Sequence, residues 1–242
     1  MRIIDAHCHV GQGKHKQQTV AELLRSMDEN HIERAVIVPV EEEIAFHNEA
    51  GNAGVLEAVK GSGGRLAGFA VANPWSGRQG IDMVRRYLDA GLRGVKLNTA
   101  LHGLYLHDEL VMELVAGVRD YQVPFFVHTG TPMYALPMHL RELAREFPDL
   151  NFIMGHMGAY DFVSDYPRAI EGLRNIYLDT SLTLSNFIKA AVATAGADRV
   201  IFGSDAPRST QKFELENVLR AIDDPDVLDQ VLYRNINRLL GG

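Results

Sequence analysis

Cysteine is almost missing from this chain. Cys8 stands alone, so no internal disulfide can form, and a reducing cytoplasmic location is the expectation. Positive charge is in deficit too: 31 acidic residues face 24 basic ones, a net −7, so the chain lacks the basic surface that sequence-independent nucleic-acid binding requires. No apolar run approaches the ~20 residues of a membrane span, and no apolar signal region follows Met1 and Arg2, so neither a membrane partner nor a secretory signal is expected. Gly61, Gly63 and Gly64 form no G-x-G-x-x-G opening a helix after a strand, which removes the dinucleotide fingerprint. There is no linker, low-complexity tract or sequence repeat to divide residues 1–242, and a single domain is expected.

What the chain does have is alternation. Short apolar or β-branched runs recur over residues 2–9, 34–40, 65–72, 94–98, 124–128, 151–156, 175–179 and 199–203, about one strand–helix unit apart. Helical signals lie between them. Thr19 with Glu22 forms a capping-box pattern, and Asp108 opens a run with Leu110, Leu114 and Val118 at helical spacing. Further helices are expected around Leu140–Phe147, around Ile188–Ala195, over Phe213–Ile222 and over Val227–Leu240. Ala35-Val36-Ile37-Val38 is apolar throughout, as expected of a parallel strand covered on both faces. Eight such strands predict an α/β fold of the (β/α)8 TIM-barrel type, with a doubly wound open sheet as the alternative.

The strand ends carry the chemistry. In such a barrel the active site lies at the carboxyl ends of the strands. The first strand closes on His7 and His9, which as residues i and i+2 share a face and make a pair of potential metal ligands. A lone H-x-H also describes two polar residues at a strand end, so the other strands must decide. The fifth closes on His128, the sixth on His156, and the eighth on Gly203-Ser204-Asp205-Ala206-Pro207. Imidazole nitrogens with one carboxylate suit zinc and its first-row neighbours.

Asp5-x-His7-x-His9, Gly94-Val95-Lys96-Leu97, His128-Thr129-Gly130, Gly155-His156-Met157-Gly158 and Gly203-Ser204-Asp205-Ala206-Pro207, in this order along the whole chain, resemble the amidohydrolase superfamily, most closely its amidohydrolase-2 branch. That branch holds metal-dependent hydrolases, lactonases and non-oxidative decarboxylases related to aminocarboxymuconate-semialdehyde decarboxylase. The acidic residue that the more distant TatD-type deoxyribonucleases use after strand four is missing. The resemblance implies one divalent metal (zinc, with manganese or iron as alternatives) on His7, His9, His128 and Asp205. It implies Asp205 as the proton-transferring group. His156 becomes a catalytic, oxyanion-stabilising group or the ligand of a second metal.

Lys96 is read as an unmodified lysine, either near a substrate carboxylate or structural, with a metal-bridging carboxylated lysine and a solvent-reaching rim lysine as the alternatives; inside a barrel it needs a partner. Arg208 is a candidate clamp for an anionic group, Trp75 and Tyr160 are candidate aromatics at the barrel mouth, and each could equally serve solvation or packing. Asp5 is expected on the face of His7 and His9, one layer deeper, as a hydrogen-bonding floor. Cys8 is expected on the opposite face as a small buried hydrophobe, and Glu41-Glu42-Glu43 as a solvated loop.

The resulting expectation is a metal-dependent hydrolase of a small, anionic amide, lactone or other ester. Non-oxidative decarboxylation of an unsaturated or aromatic acid is the runner-up, and a ligand-binding barrel is the reading outside enzymes. Compactness and short loops favour hydrolysis. A homo-oligomer stays open.

Overall fold

The computed structural model describes residues 1–14 and 16–242; the expectation from sequence that His15 lies in a loop or helix, away from the strand ends, falls outside them. Strands and helices alternate in chain order. They are β1 (Ile4–Gln12), β2 (Gln17–Gln18), α1 (Val20–Glu29), β3 (Arg34–Pro39), α2 (Glu41–Ala45), α3 (Asn48–Gly61), β4 (Leu66–Gly68), β5 (Ala70–Val71) and α4 (Gly77–Asp89). Next come β6 (Val95–Leu97), α5 (Glu109–Gly117), β7 (Phe125–His128), α6 (Pro137–Glu146), β8 (Phe152–Gly155), α7 (Ala159–Phe162) and α8 (Tyr166–Ile170). The chain finishes with β9 (Ile176–Asp179), α9 (Ser185–Ala195), β10 (Val200–Ile201), α10 (Gln211–Ala221), α11 (Pro225–Asp229) and α12 (Asn235–Leu239).

Backbone hydrogen bonds close the strands into a TIM barrel. β1, β3 and β4 pair in parallel, as do β5 through β10 in sequence. β4 and β5 are one stave interrupted at Phe69, whose N–H still reaches Ile37 O at 3.0 Å. The seam between last and first staves is held by Ala6 N to Phe202 O (3.0 Å), Asp205 N to His7 O (2.8 Å) and His9 N to Ala206 O (2.7 Å). The last two bonds tie Asp205 and the histidine strand together directly.

Ile4, Ala6, Val36, Val38, Phe69, Phe126, Ile153, Tyr177 and Ile201 fill the barrel, and Tyr233 and Ile236 plug it. Burial of each large side chain there is worth roughly 1.5–3 kcal/mol. Gly94 is glycine because a Cβ would lie 2.6 Å from the Phe69 ring. A second, larger apolar layer, which includes Ile3, Cys8, Val10, Leu23 and Met27, joins strands to helices.

β1 corrects one expectation. Its register against β3 slips between Asp5 and Cys8: Asp5 pairs with Ala35, but Cys8 pairs with Ile37, three residues against two. Such a bulge resets the alternation of faces. Ile4 and Ala6 point into the barrel, and so does His7, packed 4.2 Å from the Phe126 ring. Asp5 therefore faces away from His7, with Cys8, toward α10. It does act as a hydrogen-bonding centre, but from the other side of the strand.

The capping box forms as expected, Thr19 and Glu22 bonding reciprocally at the start of α1. The acidic run at 41–43 is not a solvated loop; it is the first turn of α2, where negative charge complements the helix N-terminus. Glu42 accepts from Lys14 N at 2.6 Å, and Glu41 pairs with Lys16 at 2.9 Å. The expected helix over 227–240 begins earlier, at Pro225 behind the Asp224 cap, and widens into a π-turn over Gln230–Arg234. There Val231 O accepts the N–H of Phe202, a bond that ties this segment to the end of the last stave. No helix among the described residues is long and apolar enough to cross a membrane.

Candidate active site

The imidazoles and carboxylates of the site, with Lys96, come from the carboxyl halves of the staves or directly after them. His7 lies within the bulge of β1 and His9 beyond it, Lys96 on β6, His128 at the end of β7 and Asp179 at the end of β9. His156 follows β8 with φ +63, and Asp205 follows β10 with φ +55. Neither is glycine, so each holds a left-handed conformation at a cost of about 1 kcal/mol or more, sustained by its surroundings. Gly203 precedes Asp205 because a Cβ there would collide with Asp179 and stand 3.0 Å from His7 Cβ.

Hydrogen bonds set the histidine tautomers. His9 Nδ1 donates to Pro39 O at 2.7 Å, which leaves Nε2 as a bare lone pair 3.2 Å from Asp205 Oδ1. Ser181 Oγ donates to Asp179 Oδ2 in a short bond and accepts from His156 Nδ1 at 2.8 Å, leaving His156 Nε2 bare. His7 Nδ1 lies 3.3 Å from the same hydroxyl, and its Nε2 is 2.9 Å from Lys96 Nζ and 3.6 Å from Asp205 Oδ1. Partners of this kind fix ring orientation and ligand basicity.

Burial dominates the electrostatics. It lowers the pKa of His9, pushes His7 and His128 well below the ordinary imidazole value, and takes His156 down to about 4, so all four rings are neutral near pH 7. Burial raises Asp179 to about 7 against the pull of Ser181. For Asp205 burial opposes ionisation, but the positive charge that the surrounding imidazoles, His7 foremost, take on when protonated in acid outweighs it and holds the carboxyl well below its usual range. Lys96 is lowered by burial to about 7 and has the partner that its position requires: His7, with the Phe126 ring 4.1 Å from its ammonium.

Among the described residues, His7, His156 and Asp205 offer ligand atoms within 4.8 Å of one another. His9 joins them through Asp205. His128 stands beside this group, its ring 5.2 Å from that of His156 and its Nε2 2.8 Å from Thr131 Oγ1. The donor set fits a divalent cation: neutral imidazoles with tautomers fixed so that lone pairs face an ionised carboxylate.

Arg208 shares a cleft of about 420 Å³ with Lys16, Gln17, Glu41 and Pro207. Trp75 and Tyr160 remain 64% and 65% exposed. The Trp75 indole donates to His102 O at 2.9 Å, whereas Tyr160 lines a small apolar cavity with Leu182 and Phe187. Sequence reasoning missed three residues. Asp179 and Ser181 were visible as a strand end in acid and hydroxyl, Leu178-Asp179-Thr180-Ser181. Lys16, which reaches Asp205 Oδ1 at 3.3 Å, comes from the turn between β1 and β2 and carried no sequence signal.

Comparison with known proteins agrees with this architecture. The family described as amidohydrolase (Amidohydro_2) matches residues 4–242. An uncharacterised TIM-barrel protein from Bordetella bronchiseptica superposes with a TM-score of 0.80 at 19% identity, covering 100% of this chain and 99% of that one. A 5-carboxyvanillate decarboxylase from Novosphingobium aromaticivorans, complexed with manganese and 4-hydroxy-3-methoxy-5-nitrobenzoic acid, gives 0.81 at 15% identity, covering 100% and 96%. A candidate 2-pyrone-4,6-dicarboxylic acid hydrolase from Pseudomonas putida gives 0.76 at 17% identity, covering 99% and 97%. No curated protein matches the sequence.

Proposed function

This chain belongs to the amidohydrolase family, and on that premise we propose that it is a metal-dependent hydrolase of a small, carboxylate-bearing amide, lactone or other ester. The observation that carries the reading is Asp205: buried, held ionised, and faced by the bare Nε2 of His9. His7, His9 and Asp205 would hold the ion, with His128 or His156 completing the set. When bound, a divalent metal supplies Lewis acidity and lowers the pKa of water toward ~7.

The chain's own residues do the rest. Asp205 accepts a proton from the attacking water at its carboxylate and returns it to the leaving group. His156, neutral with its Nδ1 proton held by Ser181, presents a bare Nε2 to the reacting centre, where it accepts a hydrogen bond from the attacking water and orients it. Lys16 and Arg208 line the cleft beside Asp205 and would receive the substrate carboxylate, Arg208 by its two-pronged fork. Lys96, with a pKa of about 7, adds a fractional positive charge deeper in the site.

Non-oxidative decarboxylation of a hydroxybenzoate is the second reading. It is favoured by the likeness to the 5-carboxyvanillate decarboxylase and by two lysines close to the ligand group, suited to holding a carboxylate that departs as carbon dioxide. A panel of lactones, N-acyl amino acids and hydroxybenzoates, assayed for acid release and for carbon dioxide, separates the two. Acid release supports hydrolysis. Carbon dioxide from a hydroxybenzoate with no acid release from any ester or amide overturns it. Metal analysis of the active preparation distinguishes zinc from manganese.

A further inference from the structure

The other end of the barrel carries a second concentration of charge that the active site does not use. A cavity of about 690 Å³, within the range of small-molecule sites, opens where the chain enters β9 and β10 and is lined by Arg168, Glu171, Arg174, Thr194 and Arg199. These residues precede the staves whose far ends bear Asp179 and Asp205, so the cavity lies on the face opposite the metal ligands. Arg199 is only 6% exposed. Its Nε donates to Ala195 O at 2.9 Å and its Nη1 to Leu173 O at 2.7 Å, which fixes the guanidinium in place without neutralising it.

Glu171 in the lining and Asp198 beside it compensate this charge only in part. Arg174 approaches Asp198 only at 3.9 Å with its side chain 82% exposed, a geometry worth little. Among the described residues, Arg168 and Arg199 have no carboxylate within ion-pairing distance. Arg141 adds a further cation behind the loop, where its Nη1 binds the carbonyls of Arg168, Ala169 and Glu171 at 2.6–3.1 Å. Burial lowers the Arg199 pKa, and the Arg174 charge lowers it further, as expected where positive groups crowd. In a chain of net charge −7 this is a local reversal of sign.

We propose that Arg168, Arg174 and Arg199 form a binding site for the phosphoryl group of a small molecule on the amino-terminal face of the barrel. Three guanidiniums against the one lining carboxylate of Glu171 leave a formal charge of +2, which matches a dianion, and guanidinium forks fit phosphate oxygens in pairs. The preset Arg199 limits the ordering cost of binding. This site is independent of the reaction proposed above.

Calorimetric titration of the full-length protein with inorganic phosphate and with pyrophosphate, at constant ionic strength, tests it. Saturable binding of one anion per chain is expected. Arg168→Gln and Arg174→Gln, both at exposed positions, should each weaken it about tenfold. Arg208→Gln, at the opposite face, should leave it unchanged. Arg199→Gln should abolish it; if that variant does not fold, the two exposed variants decide alone. Absence of saturable binding, binding unaltered by the Arg168 and Arg174 substitutions, or binding lost in Arg208→Gln overturns the proposal.

Discussion

Nε2 of His9 stands 3.2 Å from Oδ1 of Asp205 while Nδ1 of the same ring is already committed to Pro39 O. Two acceptors at that distance repel unless a proton or a cation lies between them. Burial disfavours a charged imidazole here, so a metal ion answers the arrangement better than a proton.

His9→Ala and Asp205→Asn should therefore each lower bound metal well below one ion per chain, as read by elemental analysis after dialysis. Full occupancy in both variants would remove the ligand assignment.

Asp5 is the brace behind that pair. Its carboxylate accepts from Ser204 N (2.9 Å), Ser204 Oγ (2.6 Å), Gln211 Nε2 (2.9 Å), Cys8 Sγ (3.1 Å) and His7 N (3.1 Å). Asp5→Asn replaces an acceptor oxygen by a donor among donors. It should destabilise the fold by roughly 2–4 kcal/mol in urea unfolding and weaken metal retention, because Ser204 and His7 lie on the segments that bear the proposed ligands. A variant as stable as the parent would show that the cluster is not a brace.

Gly203 allows β10 to pass beside Asp179 and His7. Gly203→Ala inserts a methyl group into that contact and should cost about 1–3 kcal/mol, the usual range for overpacking. Because the displaced groups belong to the site, metal content should fall with stability. Loss of neither would mean that the strand shifts freely, contrary to the seam bonds on either side of it.

Glu214, buried on α10, is raised to about 7 by burial against the pull of Ser209. A carboxyl whose folded pKa exceeds its ordinary value of 4.5 holds its proton more tightly in the native state. Its contribution is complete below pH 4.5 and is lost as pH rises through 7. Glu214→Gln keeps the neutral form at every pH. The stability of the variant relative to the parent should rise by about 2–3 kcal/mol between pH 5 and pH 8. A difference that stays constant over that interval would show that Glu214 ionises normally.

The barrel was legible because periodicity is a local property. Residues 34–40 read as a buried parallel strand, and β3 covers all of them but the last, with side chains buried on both faces. Strand-end histidines and Gly203-Ser204-Asp205 were legible because chemistry at this fold's carboxyl ends leaves polar residues where apolar runs stop. The face of Asp5 was not legible, since a bulge depends on what a strand pairs with rather than on its own composition. Glu41-Glu42-Glu43 was misread for a related reason: only the approach of Lys16 and the helix start gives those acids partners.

The sequence alone determined that eight parallel staves alternate with helices and that histidine, aspartate and lysine stand at their ends, because side-chain period and residue type travel with the chain. Tertiary structure decided which nitrogen of each ring is bare and which lysine reaches Asp205. It also put three arginines around one cavity on the far face. Those are relations between residues far apart in the chain, and they exist only once the barrel closes.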